Sequence, residues 1–297
     1  MLSVCIPIYN FNVCDLVRTL SVQVEQLDVP AELILIDDCS SDIFRMQNGK
    51  CCNKHTYLML EKNVGRSAIR NLFLKHAQNE YLLFLDCDSM IISDDFLKNY
   101  IAEFEHSNPD IICGGRVYGD KKPDRSKMLR WKYGIKKESK PAASRSEHPN
   151  ASFMTNNFVI TRKLFREIQF DERLKEYGHE DTLFGFELKK RGIQIKHIEN
   201  AILNNDLEYN REYLDKTEKA VQNLIHVMAF TQNDPELIRD IKLLNVYEKL
   251  KKFSFLISLL FTISQSLIRF LLTHGYVSLT LFDFYKLGIL NQAIKKH

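Results

Sequence analysis

Two acidic pairs are the first candidates for chemistry. Asp86-Cys87-Asp88 follows the apolar run Leu82-Leu83-Phe84-Leu85. Carboxylates two residues apart at a strand end can share a hard divalent cation, Mn²⁺ or Mg²⁺, between the protein and a diphosphate. In a plain loop the same aspartates would only cap the next turn. Glu180-Asp181 is the second pair, and it opens a helical pattern from Thr182 to Arg191. Acids suit the positive end of that helix, Lys189-Lys190-Arg191 suit its negative end, and Gly192 suits the left-handed residue beyond it. Capping accounts for these charges as well as a general base does. A base must in addition reach a substrate hydroxyl.

The elements that must position these groups alternate. Residues 2–8 read as a buried strand, and Asp15 opens an amphipathic helix bearing Leu16, Val17, Leu20, Val24 and Leu27. Leu33–Ile36, Tyr57–Leu60, Tyr81–Leu85 and Asp110–Cys113 read as further strands. Helices are expected over Gly65–Ala77 and from a cap at Asp94 or Asp95 through Phe104. Strands alternating with helices of this length predict a doubly wound, mainly parallel sheet covered on both faces. Ligands bind beyond the carboxyl ends of such strands. Tyr9-Asn10, Asp37-Asp38, Asn63 and Asp86-Cys87-Asp88 all fall there.

Several classes are excluded. Apolar residues make up 45% and charged residues 27% of the 297, so a disordered or low-complexity chain is out. A net charge of +3 does not mark a nucleic-acid binder. Neither Gly-x-x-x-x-Gly-Lys-Ser/Thr nor Gly-x-Gly-x-x-Gly occurs, which removes support for a phosphate-loop ATPase or a dinucleotide oxidoreductase. Seven cysteines, at 5, 14, 39, 51, 52, 87 and 113, with no leader pattern before them, predict free thiols in a reducing cytoplasm. Cys51-Cys52 with His55 lacks the fourth ligand of a structural zinc site. The sequon at Asn150 would then be unused.

Five segments resemble the inverting family 2 glycosyltransferases of the GT-A fold. They are Ser3–Asn10, Leu35–Asp42, Asn63–Asn71, Tyr81–Asp88 and Tyr177–Asp181, the last in the form seen in chondroitin-polymerase-like members. The resemblance implies a nucleotide-sugar donor, of the UDP class, and a saccharide or lipid-linked saccharide acceptor. It implies that Pro7 and Tyr9 belong to the nucleotide site, with Tyr9 against the base. Asp38 would bond the base and Asp37 support its loop. Asn63 and Arg66 would line the pocket. Asp86 would meet the ribose or the metal, and Asp88 would ligate the metal. Asp181 would be the general base and Glu180 its orienting partner. Relatives often carry a metal-binding histidine after the strand at 193–199. Here Ala201–Asp206 contains none, which leaves Asn204, Asp206 or water for that place. His197 reads as structural. Thr155-Asn156-Asn157-Phe158 reads equally as a sugar-pocket lining or a strand entry, and Trp131 as a loop anchor or a sugar-stacking ring.

The expected organisation is a transferase domain over 1–210 and a helical extension over 211–297. Within the first, 1–115 is the nucleotide half, 116–150 a basic loop and 151–210 the acceptor half. Residues 120–145 hold ten Lys/Arg against three Asp/Glu, as a mobile loop or short helix would. Residues 253–272 hold thirteen apolar residues, with Ser254, Ser258, Thr262, Gln265, Ser266 and Arg269 on one arc. This predicts a helix lying at a membrane interface, ahead of one docked on the protein or in a dimer, or one that spans. The sequence thus predicts a metal-dependent inverting glycosyltransferase of surface polysaccharide assembly, at the inner face of the cell membrane. A nucleotidyltransferase and a non-catalytic nucleotide-sugar-binding subunit are the competing readings.

Overall fold

The computed structural model describes residues 1–296 except Glu176 and Asn205. In chain order the elements are β1 (Leu2–Ile8), α1 (Cys14–Glu25), β2 (Ala31–Asp37), α2 (Asp42–Cys51), β3 (Thr56–Met59), α3 (Arg66–His76), β4 (Tyr81–Leu85), β5 (Ser89–Met90), α4 (Phe96–Ser107), β6 (Ile111–Cys113) and β7 (Arg116–Tyr118). There follow α5 (Met128–Tyr133), α6 (Ala142–Ser146), β8 (Asn157–Thr161), α7 (Arg162–Glu167), α8 (Glu180–Lys190), β9 (Lys196–His197) and β10 (Ile202–Asn204). The last helices are α9 (Asn210–Phe230), α10 (Pro235–Asp240), α11 (Lys242–Leu250), α12 (Ser254–Thr273) and α13 (Leu279–Lys296). They form two compact units.

The first unit comprises 1–118, 139–175 and 180–205. Its main sheet runs β3-β2-β1-β4-β8-β6-β9, and a small sheet runs β5-β10-β7. β1 pairs in parallel with β2 and β4, whereas β8 is antiparallel to both β4 and β6. The alternation along β1 sends Leu2, Val4, Ile6 and Ile8 into one core and Cys5 into the other, so both faces are covered. Continuous apolar strands need this two-sided burial. Pro7 sits in the centre of the sheet, where a missing N–H is costly. The β1–β4 ladder ends at Cys5, however, so at Pro7 only the β2 side is paired. On the second face Phe84, Phe153, Phe158, Phe165, Phe170 and Phe184 make stacked and edge contacts.

Two expectations need correction. The cysteines are not all free: Cys14 and Cys51 form a disulfide, and five thiols remain. The start of α1 and the end of α2 meet there, and α2 carries too weak an apolar stripe to be read from sequence. His55 bonds Ser21 instead of joining the cysteines, and among the described residues no cluster of three His, Cys, Asp or Glu side chains could hold a metal. Asp95 begins α4, but its side chain makes no cap bond. Asn150 is buried and donates to the carbonyls of Gly185 and Ile193, so its sequon serves packing.

The second unit comprises 119–138, 177–179 and 206–296 of the described chain. Its last segment begins at 206, and the unit also takes in part of the expected basic loop. That stretch is helical: Leu129 packs with Leu214, Phe261 and Phe282. Arg130 is buried between Glu138 and Glu208, and Asn210 accepts from the Leu129 N–H. Arg130, one of the charges of this stretch, is thus held by ion pairs. Trp131 donates to the Gly119 carbonyl, the bond of a loop anchor.

Candidate active site

The carboxyl ends of β1, β2 and β4 converge on one edge of the first unit. Asp37 is fully buried and holds its own loop: it accepts from the Ser40 N–H (2.7 Å) and from Tyr57 (3.3 Å), with Arg45 at 3.6 Å. Asp38 reaches across to the next turn. Its two oxygens accept from the Val64 N–H (2.7 Å) and the Gly65 N–H (3.1 Å), and Asn63 donates to its carbonyl (3.0 Å). Burial raises its pKa against these hydrogen bonds. Asn63 and Asp38 thus fix the entry of α3, where Gly65 takes φ +85°. Tyr9 lies exposed beyond β1. Burial pushes the Cys87 thiol up to about 12.

Arg66 and Arg70 stand one turn apart on α3 and therefore share a face. The exposed Arg66 donates to Glu180 at 3.2 Å. The buried Arg70 donates to Asp86 at 2.9 Å and lies 3.9 Å from Glu180. One guanidinium therefore joins the aspartate at the end of β4 to the first residue of α8. The sequence reading left Arg70 without a role. Its signal was an Arg beside Ile69 and Phe73 on the buried side of α3.

The two acids of α8 are driven apart electrostatically. Burial works to raise the Glu180 pKa, but Arg66 and Arg70 outweigh it and hold the carboxyl below its ordinary value. Asp181 is raised to about 6, first by burial and then by the neighbouring Glu180 charge. It accepts from the Thr182 N–H at 2.7 Å. Oppositely shifted neighbours of this kind separate a fixed charge from a group able to take up a proton near neutral pH. At the other end Gly192 takes φ +73° and closes α8 with Gly192 to Lys189 and Ile193 to Leu188 bonds, as its sequence pattern predicted.

Asp88 immediately precedes Ser89, and Ser89 is opposite Asn204 in the β5–β10 ladder. Asn204 Oδ1 and Ser89 Oγ are buried without a hydrogen-bond partner, as are both amide atoms of Asn156, whose carbonyl accepts from the Asp86 N–H at 3.2 Å. Buried polar atoms of a native fold are ordinarily paired. Their clustering along the residues flanking Asp86 and Asp88 fits a place that a polar ligand or cation completes. Asn204 and not Asp206 belongs to this unit. Asn157, by contrast, is consumed by structure: it receives from Tyr100 and donates to the Gly115 and Asn200 carbonyls. Of the 155–158 segment, Asn157 and the core residue Phe158 are thus taken up by the fold, and the sugar-lining reading stays open at Thr155 and Asn156. His197 is structural as expected, set between Arg145 and the Pro149 carbonyl.

Residues 3–169 match the family model described as glycosyl transferase family 2. Chondroitin synthase of Escherichia coli is 26% identical over 276 residues, covering 80% of this chain and 39% of that protein; the chain thus spans well under half of that relative's length. Among solved structures, the mannosyltransferase PcManGT of Pyrobaculum calidifontis, in complex with GDP-Man and Mn²⁺, aligns with a TM-score of 0.61 at 15% identity, covering 99% of this chain and 86% of that one. Staphylococcus aureus TarS 1-349 in complex with UDP-GlcNAc aligns at 0.51 and 18% identity, covering 99% and 91%. These likenesses show the fold: the mixed, mainly parallel sheet with flanking helices is the GT-A arrangement.

Proposed function

The chain belongs to glycosyl transferase family 2, and from that premise we propose that it transfers a sugar from a nucleotide-sugar to a saccharide or lipid-linked saccharide acceptor, with inversion, in polysaccharide assembly at the inner face of the cell membrane. The observation that carries this reading is Arg70, whose guanidinium holds Asp86 and Glu180 at one place.

The chemistry follows from the residues. Asp181 takes the proton of the acceptor hydroxyl as the hydroxyl oxygen bonds to the anomeric carbon. The bond from that carbon to the diphosphate breaks, and the nucleoside diphosphate leaves on the opposite face. A raised carboxyl suits this role, because a base near the working pH accepts a proton without being held protonated. Glu180 stays charged beside its two arginines and orients the acceptor side. Tyr9 stacks on the base, Pro7 and Asn63 shape its pocket, and Asp37 holds the loop that presents Asp38. Arg66, exposed beside Glu180, faces the diphosphate.

Asp88, with Asp86 behind it and Asn204 Oδ1 as a neutral oxygen donor, fits a hard cation. Mn²⁺ or Mg²⁺ held there would act as a Lewis acid on the departing diphosphate. Likeness to a UDP-GlcNAc complex supports UDP as the carrier, while the GDP-Man complex keeps GDP in the comparison.

Thermal stability against a panel of nucleotides, with and without Mn²⁺, tests the reading, because a ligand of the folded state raises the midpoint. A Mn²⁺-dependent rise with a uridine diphosphate donor, lost in Asp88→Ala, is the expected result. Asp181→Asn should keep that rise and lose turnover by about 10²–10⁴-fold, the usual range for a removed acid or base. Donor binding with full turnover in Asp181→Asn would remove the assigned base. Binding with no transfer by the parent to any acceptor would favour the non-catalytic subunit.

A further inference from the structure

We infer that the outer face of α12 is a contact surface for an anionic lipid bilayer, lying in its interfacial layer. This deepens the membrane part of the proposed function and rests on that part alone, since it concerns the second unit and uses no step of the transfer chemistry.

α12 has two apolar faces, and only one is covered. Ile257, Phe261, Ile268 and Leu272 are buried in the cores of the second unit. Phe255, Leu259, Ile263, Leu267 and Phe270 follow one another at steps of three or four residues and are exposed, Phe255 by 78% and Ile263 by 74%. A surface helix of a globular protein carries one apolar stripe and turns it inward. An uncovered stripe of this length marks an interaction surface.

Of the polar arc of α12, Ser254, Ser258 and Arg269 turn into the unit, whereas Thr262 and Ser266 are exposed beside the apolar face. Ser254 bonds Asn291, Ser258 receives from Asn291 and Lys295, and Arg269 pairs with Asp215 and Glu218 on α9 and with Tyr285 on α13. Ser254, Ser258 and Arg269 are thus satisfied inside the unit while leucine and phenylalanine face outward. This is the reverse of a helix shaped for water.

Charge selects the occupant. From 249 to 282 the chain has no Asp or Glu, yet it carries Lys249, Lys251, Lys252 and Arg269. Lys251 and Lys252 are exposed at the start of the apolar face, and Lys295, also exposed, lies against Ser258. Lipid phosphates complement such a rim. A second copy of this chain would bring the same face, with no acid on it. A spanning placement would carry Arg269 and its two carboxylate partners into hydrocarbon, where ion pairs are expensive.

The test is flotation of the full chain with vesicles of phosphatidylcholine alone and of phosphatidylcholine mixed with phosphatidylglycerol. Binding to the mixed vesicles should exceed that to the neutral ones by roughly tenfold or more, given about a fivefold contribution from each lysine near the surface. Ile263→Ser with Leu267→Ser should cut binding by at least about tenfold with an unchanged melting midpoint, since both side chains are exposed in the folded protein. The inference is overturned by absence of binding to either vesicle, or by equal binding of the double variant. A lipid-free dimer that the double variant splits, or a bound form that resists alkaline extraction as a spanning helix does, would also overturn it. Loss of transfer activity with lipid binding intact would count against the enzymatic reading only.

Discussion

The sheet edge of the first unit and the outer face of α12 break the ordinary rules of folding in opposite ways. At the sheet edge, charged and polar groups are drawn inside: Arg70, Glu180, Asn156 and Asn204 are buried, and several of their atoms have no partner. On α12, apolar side chains are left outside while Ser254 and Arg269 find partners within. Stability alone favours neither arrangement, because buried charge costs desolvation and exposed apolar area forgoes burial. Residues at odds with stability therefore locate the surfaces that meet something else. The kind of violation indicates the partner, polar and charged at one place and apolar with a cationic rim at the other.

Substitutions can break this contrast. Arg70→Met has the largest expected effect. It leaves Asp86 and Glu180 facing each other without their shared cation, so stability should fall by about 2–3 kcal/mol, less than for a fully buried pair because Asp86 keeps some solvent. Urea denaturation measures this, and Arg70→Lys should recover only part of it, since one ammonium cannot serve both carboxylates as a forked guanidinium does. A variant as stable as the parent would show that the network is not a site held under tension.

Asp181→Asn comes next and acts in the other direction. The folded-state pKa of Asp181 is raised to about 6, so between about pH 4 and 6 the folded protein binds a proton that the unfolded chain has released. Its contribution is therefore favourable at low pH and is lost as pH rises through about 6. Removing the charge should stabilise the protein at pH 7–8 by about 1–2 kcal/mol while abolishing turnover. Glu180 works oppositely: its lowered pKa stabilises above the ordinary carboxyl range and is lost on acidification. The parent's kcat/KM should accordingly rise with pH through about 6 and then level, as a pH–rate profile would record. Flat stability and rate across that interval would dissolve the pairing of roles.

The smallest effect belongs to the second region. Ile263→Ser should change folding stability by no more than about 0.5 kcal/mol, as exposed substitutions do. A loss of several kcal/mol would mean that the outer face supports the fold, and the contrast between the two regions would collapse.

Much of the first unit was legible because its signals are local. Continuous apolar runs gave β1, β2 and β4 nearly to the residue, and the acids that follow them fall at the strand ends as expected. Gly192 was readable from its place after Lys189-Lys190-Arg191. Arg70 was not, because its partners lie 16 and 110 residues away along the chain. The disulfide escaped for a similar reason, with Cys14 and Cys51 37 residues apart along the chain. The basic stretch, read as a mobile loop or a short helix, is helical, and the counter-ions of Arg130, Glu138 and Glu208, are located only by the fold.

The sequence by itself determined which segments form strands and helices and which acids stand at their ends, since periodicity and chain termination are properties of neighbouring residues. Only the tertiary structure decided which of those acids share a guanidinium, which amides are consumed by packing, and which side of α12 is left uncovered. Each of these depends on a partner brought near by folding, and hydrogen bonds and ion pairs act over a few ångströms of space regardless of the distance along the chain.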